Sequence, residues 1–539
     1  MISFLADRSL SSNSKLLLSS LAFAAFFVFS LCLVFAPRWE TNDDVAMSMI
    51  AHGYGIAPMG SPNILFSNVI WGHLVRAIPE INGVLGYSIA TLSMLVIVAT
   101  ALLYGLLRLG VSRISCLSIL ALALVRPVLF PQFTINAGLL MMGAIICWHL
   151  YAQKNDRQSL LAGYFLAFFS YLVRSQEFLL VLIVALPLLP YRELFLHRFA
   201  RIIFFTFVSA IAISAAFDQQ AYQGDEWRTY NELNPVRALF TDYGAGAFLK
   251  QRSDILERHG YSINDINLIE NWFFVDAHIA NPQALQVMLT ELGPLPSQKK
   301  SLINAWIGMQ TLRHPFILLP MLTALLLAVL RPSWQVATSW GLCIAAVFAL
   351  GLLGRHGVLR VYVPLICLLL AAPFLNGQVS GWRNYLGISV LFVTAVINAS
   401  HVFQDSKTFQ IADARVRDEL AAFPDFPVVI WAATFPYEAV YPVLGASAPA
   451  MSYQHYGLGT STLAPFTVAY TEQKEGNGMT NLLTKERGIP IMANPQYFEY
   501  LEIYCKERLH GKLIELSVKN YGAIEVSQRQ CVRGNYGAE

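Results

Sequence analysis

The apolar positions of this chain fall into long unbroken runs, without the short alternations or narrow stripes of a soluble fold. A hydrocarbon core of ~30 Å takes about 20 apolar residues per helix. About eleven segments approach that length: 16–36, 85–107, 114–130, 135–152, 159–173, 177–190, 201–217, 315–330, 335–353, 358–374 and 384–402. Two of them, 159–173 and 177–190, are short, and Pro127 and Pro364 stand inside two others, so kinked or partial crossings are expected. The first run follows Arg8 and Lys15 but exceeds the about 7–15 residues of a signal-peptide core, and it leads into Pro37-Arg38-Trp39 with no small-residue cleavage site. It reads as an uncleaved first span.

Between the runs, basic residues alternate in the way cytoplasmic loops collect them. Arg8 and Lys15, Arg108 and Arg113, Lys154 and Arg157, Arg192, Arg198 and Arg201, Arg331, and Arg383 occupy every second connection. The N-terminus is therefore expected inside. The opposite side receives the loop 37–84, the turn near Pro131, the junction 173–177, the segment 218–313, the stretch 354–360 and everything after about 403.

Segments as long as 218–313 and 403–539 are expected to fold, because structureless loops beyond about 12–15 residues are uncommon. "GAFLKQRSDILERHG" and "PQALQVMLTELG" have helical spacing. The last part mixes a helical "DARVRDELAAF" with strand-like "FPVVIWAA" and "GKLIELSV". The fold class is thus mainly α: a polytopic transmembrane helical bundle, 1–402, carrying an outer loop at 37–84 and an outer helical insertion at 218–313. A small mixed α/β extracytoplasmic domain, 403–539, follows it.

Composition agrees: of 539 residues, 55% are hydrophobic and only 13% charged, against about 25% charged in ordinary soluble domains. The mean hydropathy is +0.50. A net charge of +3, dispersed along the chain, offers no basic groove for nucleic acid. Five cysteines, Cys32, Cys116, Cys147, Cys343 and Cys367, lie inside spans as small apolar fillers. Cys505 and Cys531 share the outer domain, where an oxidising compartment permits a disulfide; spacing alone leaves that bridge open.

Candidate chemistry gathers on the outer side. "PRWETNDDVAMSMIAHGYG", Pro37 to Gly55, places Glu40, Asp43 and Asp44 at the mouth of the bundle. Asn42 is a suitable N-cap, and carboxylates in a first turn gain about 0.3–1 kcal/mol from the helix dipole. That accounts for acids at a helix start, but the same helix also aligns Asp44, Ser48 and His52 at i, i+4 and i+8, as the wall of a polar cavity would. Asp44 is therefore expected to be the reactive acid ahead of Asp43. The following "ILFSNVIWGHLVRAI" has the amphipathic character of a helix lying in the membrane interface, with Asn68, Gly72 and Arg76 on its polar edge.

Basic residues where the charge rule disfavours them form the second signal: Arg126 near an outer span end, Arg174 beside Glu177, and Arg355 and Arg360 flanking His356. Each has a plainer role open to it. Arg174 can snorkel and pair with Glu177, Arg355 and Arg360 can anchor lipid phosphate, and Arg126 can pair with an acid inside the bundle. Together, acids that accept a proton from a hydroxyl and guanidinium groups that neutralise a departing phosphate are the parts of a transfer from a lipid-linked sugar.

The spans, the acidic "ETNDD" opening the first outer loop, the interfacial helix and the outer C-terminal domain resemble the GT-C superfamily of polytopic glycosyltransferases, and within it the bacterial transferases of surface polysaccharide. That resemblance implies a polyprenyl-phosphate-linked sugar donor, a glycan or lipid-linked acceptor, and a place in the bacterial inner membrane with membrane lipid as surroundings. It also implies that Asp43 or Asp44 is the loop-one acid, acting as catalytic base or, in metal-dependent members, as ligand to a divalent metal. Arg174 and Arg355 match no motif of the superfamily and rest on the topology. A polysaccharide polymerase or ligase also handles lipid-linked glycans with outer arginines. A transporter or flippase would instead spread its charges near the midplane and show repeated halves, and neither is visible here.

Overall fold

The computed structural model describes residues 12–294, 298–375 and 381–533; Arg8, expected at the inner end, lies outside them. All eleven apolar segments are helical. The chain opens with α1 (Ser12–Phe35), α2 (Asn42–His52), α3 (Val69–Ala77), α4 (Gly86–Arg108), α5 (Arg113–Leu129), α6 (Phe133–Lys154), α7 (Arg157–Val173) and α8 (Ser175–Ala185). The later apolar helices are Arg198–Ala221, Pro315–Leu330, Trp334–Leu352, Leu359–Ala371 and the 38-residue Trp382–Glu419.

Among the described residues, six helices are long and apolar enough to cross a membrane: α1, α4, α6, Arg198–Ala221, Trp334–Leu352 and Trp382–Glu419. A seventh crossing results if Ser301–Thr311 and Pro315–Leu330, bent by 76° where they meet, act together. The count of about eleven exceeds this because α5 and α7 have 17 residues each, roughly 25 Å at ~1.5 Å per residue. α8 and Leu359–Ala371 are shorter still.

The alternation of connections is real as two ends of one bundle. At one end Arg108 stands 3.8 Å from Asp156, Gln153 donates to the carbonyl of Leu375, and Arg331 donates to Asn384. At the other end the backbone N–H groups of Arg38, Glu40 and Asn68 donate to the carbonyls of Leu129, Pro131 and Leu172. Between the ends α6 is buried along its whole apolar length, as a helix apolar on all sides must be. Gly138 of α6 makes room for the ring of Pro364 and for Glu177.

Three chain segments cover the second end. In the first, Thr41 takes the N-cap position expected of Asn42, and α2 ends at Gly53, whose φ of +77° allows its N–H to reach the carbonyl of Met49. The expected long interfacial helix is shortened to α3, which starts only after Asn68 accepts a hydrogen bond from the N–H of Ile70. Val69, Trp71, Gly72 and Val75 are buried, and α3 packs against α4, α7 and Arg198–Ala221. One side of the helix is thus a packed wall, while His73, Leu74, Arg76 and Ala77 on the other side are exposed.

The second segment is the insertion, a cluster of short helices including Arg228–Thr241, Ile263–Glu270 and Pro282–Leu292. "GAFLKQRSDILERHG" forms two pieces, Ala245–Leu249 and Ser253–Arg258, in place of one helix. The third is a five-stranded sheet of β1 (Val428–Trp431), β2 (His455–Leu458), β3 (Ile489–Met492), β4 (Gly511–Tyr521) and β5 (Ile524–Arg533), in the order β2-β1-β3-β5-β4. β2, β1 and β3 are parallel, and β5 joins antiparallel to both β3 and β4. Trp382–Glu419 runs through the expected boundary at 402/403, so "DARVRDELAAF" continues a bundle helix.

β1 ties these parts together. Its four residues are all buried, and since successive side chains point to opposite faces, Val428 and Ile430 enter the core shared with the bundle while Val429 and Trp431 enter the core shared with the insertion. Cys505 and Cys531 form a disulfide with Cα atoms 5.8 Å apart, joining helix Pro495–Arg508 to β5. The other five cysteines are free and buried.

Candidate active site

α2 turns its two adjacent acids in different directions. Asp44 is fully buried; its carboxylate accepts hydrogen bonds from the Tyr87 hydroxyl (3.0 Å), the Phe133 N–H (3.0 Å) and the Thr41 hydroxyl (3.3 Å). It joins α2 to α4 and to the start of α6. Burial, and next the charge of Asp43, push its carboxyl well above the usual range, with the three hydrogen bonds opposing.

The expected stripe of Asp44, Ser48 and His52 exists but faces inward. Ser48 is buried and receives the Tyr54 hydroxyl at 2.9 Å. His52 Nε2 accepts from the backbone of Tyr87 at 3.0 Å, and burial followed by the nearby Arg76 holds the ring below its ordinary pKa. None of the three lines the cavity beside α2, whereas Asp43 does. The stripe is polar because it bonds neighbouring elements.

That cavity, about 260 Å³, is lined by the other stripe of the helix: Asn42, Asp43, Ala46, Met49 and Ile50. The lining also includes Ile430, Ala432 and Ala433 at the end of β1, Gly457 to Ser461 at the end of β2, Tyr437, and Trp272 from the insertion. The carboxyl ends of parallel strands are where α/β folds place ligands. Asp43 forms a 2.7 Å ion pair with Arg360, and both side chains keep partial access to solvent.

The other expected residues divide between this centre and its supports. Arg174 donates to the carbonyl of Phe66 at 3.0 Å and lies over the rings of Phe133 and Phe66. It experiences Asp43 and Glu177 as opposite charges and Arg360 and Arg355 as like charges. Glu177 is buried and its Oε1 has no hydrogen-bond partner, so the close Arg174–Glu177 pair is not formed. Arg355 pairs with Asp242 of the insertion at 3.1 Å and stacks over Tyr243. His356 Nδ1 is buried and unpartnered.

Arg126 belongs elsewhere. It donates to both oxygens of Glu40 (2.9 and 3.1 Å), stands 3.6 Å from Asp405 and covers Phe316 at 3.5 Å. It heads a second cavity of about 480 Å³, lined mainly by apolar residues of α5, Pro315–Leu330, Leu359–Ala371 and Trp382–Glu419. Val363 and Cys367 in that lining share a helix face with Arg360 at i, i+3 and i+7. One face of Leu359–Ala371 therefore presents a guanidinium at the Asp43 end and an apolar cleft beyond it.

Among the described residues no three His, Cys, Asp or Glu side chains gather as a metal site. With Asp44 committed to its donors, Asp43 is the acid of the pair that an ion in the cavity would meet. Trp272, Tyr437, Thr460 and Ser461 were not foreseen from the sequence. The small polar run "GLGTST" was the one visible signal for Thr460 and Ser461, and its place at a strand end depends on the pairing of β1 with β2. No family model matches the chain, and comparison with curated proteins and with solved structures returned no match.

Proposed function

We propose that the protein is a membrane glycosyltransferase that moves a sugar from a polyprenyl-phosphate-linked donor to a glycan or lipid-linked acceptor. The reaction takes place at the outer face of the bacterial inner membrane. The observation that carries this reading is the Asp43–Arg360 pair, set between a half-polar cavity and an apolar cleft on the same face as Arg360. A lipid-linked sugar has this division: a prenyl tail for the cleft, a phosphate for guanidinium groups, and a sugar beside the carboxylate.

In the transfer, an acceptor hydroxyl attacks the anomeric carbon, a new C–O bond forms, and the C–O bond to phosphate breaks. The hydroxyl proton goes to Asp43. Arg360 and Arg174 neutralise the polyprenyl phosphate that leaves, and Arg360 is freed for this when it exchanges Asp43 for phosphate. Arg355 and His356 hold the approach to this point from the insertion side, and a divalent metal, if the reaction uses one, meets Asp43. The remaining spans of the eleven are completed by the short helices α5, α7, α8 and Leu359–Ala371, with the N-terminus cytoplasmic.

The test is transfer in proteoliposomes supplied with polyprenyl-phosphate-linked hexoses and extracted lipid-linked glycans. Asp43→Asn is expected to lower turnover by roughly 10²–10⁴-fold, and Arg360→Ala to weaken donor use, while Arg383→Ala leaves it unchanged. Wild-type rates in Asp43→Asn overturn the assignment of the base. Movement of intact donor across the bilayer with no transfer favours a flippase.

A further inference from the structure

Seven non-glycine residues adopt left-handed backbone conformations among the described residues, and three of them line the one cavity beside Asp43: Leu65 (φ 65°), Trp272 (φ 69°) and Ala432 (φ 57°). They come from the first loop, the insertion and the sheet, so the clustering is not one irregular turn. For bulky residues such as Leu and Trp this conformation is an outlier, and outliers persist where surrounding structure enforces them.

Trp272 is enforced from both sides. The carbonyl of Asn271 accepts the indole N–H of Trp431 at 2.5 Å, and Phe273 is inserted between Trp431 and Tyr504 with centroids 5.3 and 5.1 Å away. Held between these anchors, Trp272 lies half-buried at the cavity, with the Arg237 guanidinium over its ring at 4.9 Å. A tryptophan in a hydrophobic core needs no such clamp.

From this geometry we infer that Trp272 is the platform on which a sugar ring of the acceptor stacks, in the cavity that Asp43 also lines. This rests on the glycosyl-transfer reading and names the residue that selects its acceptor. The rest of the wall fits a carbohydrate. Thr460 and Ser461 hold hydroxyls with no partner among the described residues, because the turn they belong to is closed by Thr462, whose hydroxyl accepts the Gly459 N–H at 2.8 Å and donates to the carbonyls of Gly457 and Gly459. Asn42 and Tyr437 add further polar groups. A volume of about 260 Å³ falls just below the about 300 to 1,000 Å³ of drug-sized sites, so it suits one ring rather than a long glycan. Aromatic faces supply area with little loss of side-chain freedom, and polar groups at the rim fix orientation.

The experiment measures binding of methyl hexosides to the full-length protein in nanodiscs by saturation-transfer NMR, with sorbitol as the ringless control. At least one methyl hexoside is expected to bind, and sorbitol is not. Trp272→Gly, which keeps the left-handed backbone and removes the ring, is expected to weaken binding at least tenfold, and Trp272→Phe to retain part of it. Arg383→Ala, at the far end of the bundle, should leave hexoside binding unchanged. Failure of every methyl hexoside to bind, or equal binding by wild type and Trp272→Gly, overturns the platform even if transfer activity is found. Trp272-dependent binding without any transfer keeps the platform and removes the transferase reading.

Discussion

At the scale of single residues, two adjacent carboxylates have separate tasks because neighbours on a helix point about 100° apart. Asp44 gathers three donors from three elements, so its removal leaves buried groups unpaired at about 1–3 kcal/mol each. Asp44→Ala is expected to lower the melting temperature of the detergent-solubilised protein by several degrees. Asp44→Asn, which still accepts from Tyr87 and Phe133, is expected to melt near wild type and to keep transfer activity. Equal melting of the Ala and Asn variants would contradict the bonding role. The sequence shows both acids and their helix, but the direction each faces is fixed by Tyr87 and Phe133, residues far along the chain.

A second residue-scale prediction concerns His455, buried in the sheet domain with its Nε2 2.8 Å from the Tyr441 hydroxyl. Burial lowers its pKa to about 3, so the folded ring stays neutral while the unfolded one takes up a proton below about 6.5. The stability it contributes is complete above that value and is lost as pH falls from it toward the folded value, at about 1.4 kcal/mol per pH unit. Near pH 5 the loss is about 2 kcal/mol. Thermal melts near pH 7.5 and near pH 5 should show a smaller acid shift for His455→Gln than for wild type.

At the scale of elements, periodicity revealed both stripes of α2 without saying which one faces the cavity. A polar stripe at i, i+4, i+8 serves inter-helix hydrogen bonds as readily as a ligand, and here it serves the bonds. The disulfide is an element-scale device of the same kind. It ties helix Pro495–Arg508 to β5 across a separation of 26 residues, which in the chain-entropy view is worth about 3.5 kcal/mol. The double variant Cys505→Ser/Cys531→Ser, or treatment with a reductant, is expected to destabilise the sheet domain against proteolysis and leave the bundle intact. Unchanged proteolysis would show that the bridge does not hold the domain. Its presence also suits an oxidising compartment, in agreement with the proposed outer placement.

At the scale of the whole molecule, the loop 37–84, the insertion and the sheet domain cover one end of the bundle, and the proposed function requires that end to be outside, as expected from the charge asymmetry of the loops. In a cysteine-free background, an impermeant thiol reagent applied to intact cells is expected to label a cysteine placed near Lys474 and to miss one placed near Lys154. The reverse pattern inverts the orientation and with it the proposed site of transfer.

What the sequence by itself determined was the class of fold and the division of loops between two ends. Run length and loop charge are local properties, and a bilayer acts on them segment by segment. Long apolar runs therefore named the helices, and alternating arginines and lysines sorted the connections. Only the tertiary structure decided that Asp43 rather than Asp44 meets the cavity, that Arg126 braces Glu40 and Asp405, and that Trp272 lines the same cavity as Asp43. The rotation of a helix about its axis, the pairing of β1 with β2 and the clamp on either side of Trp272 are all set by contacts between residues far apart in the chain. No local pattern encodes those contacts.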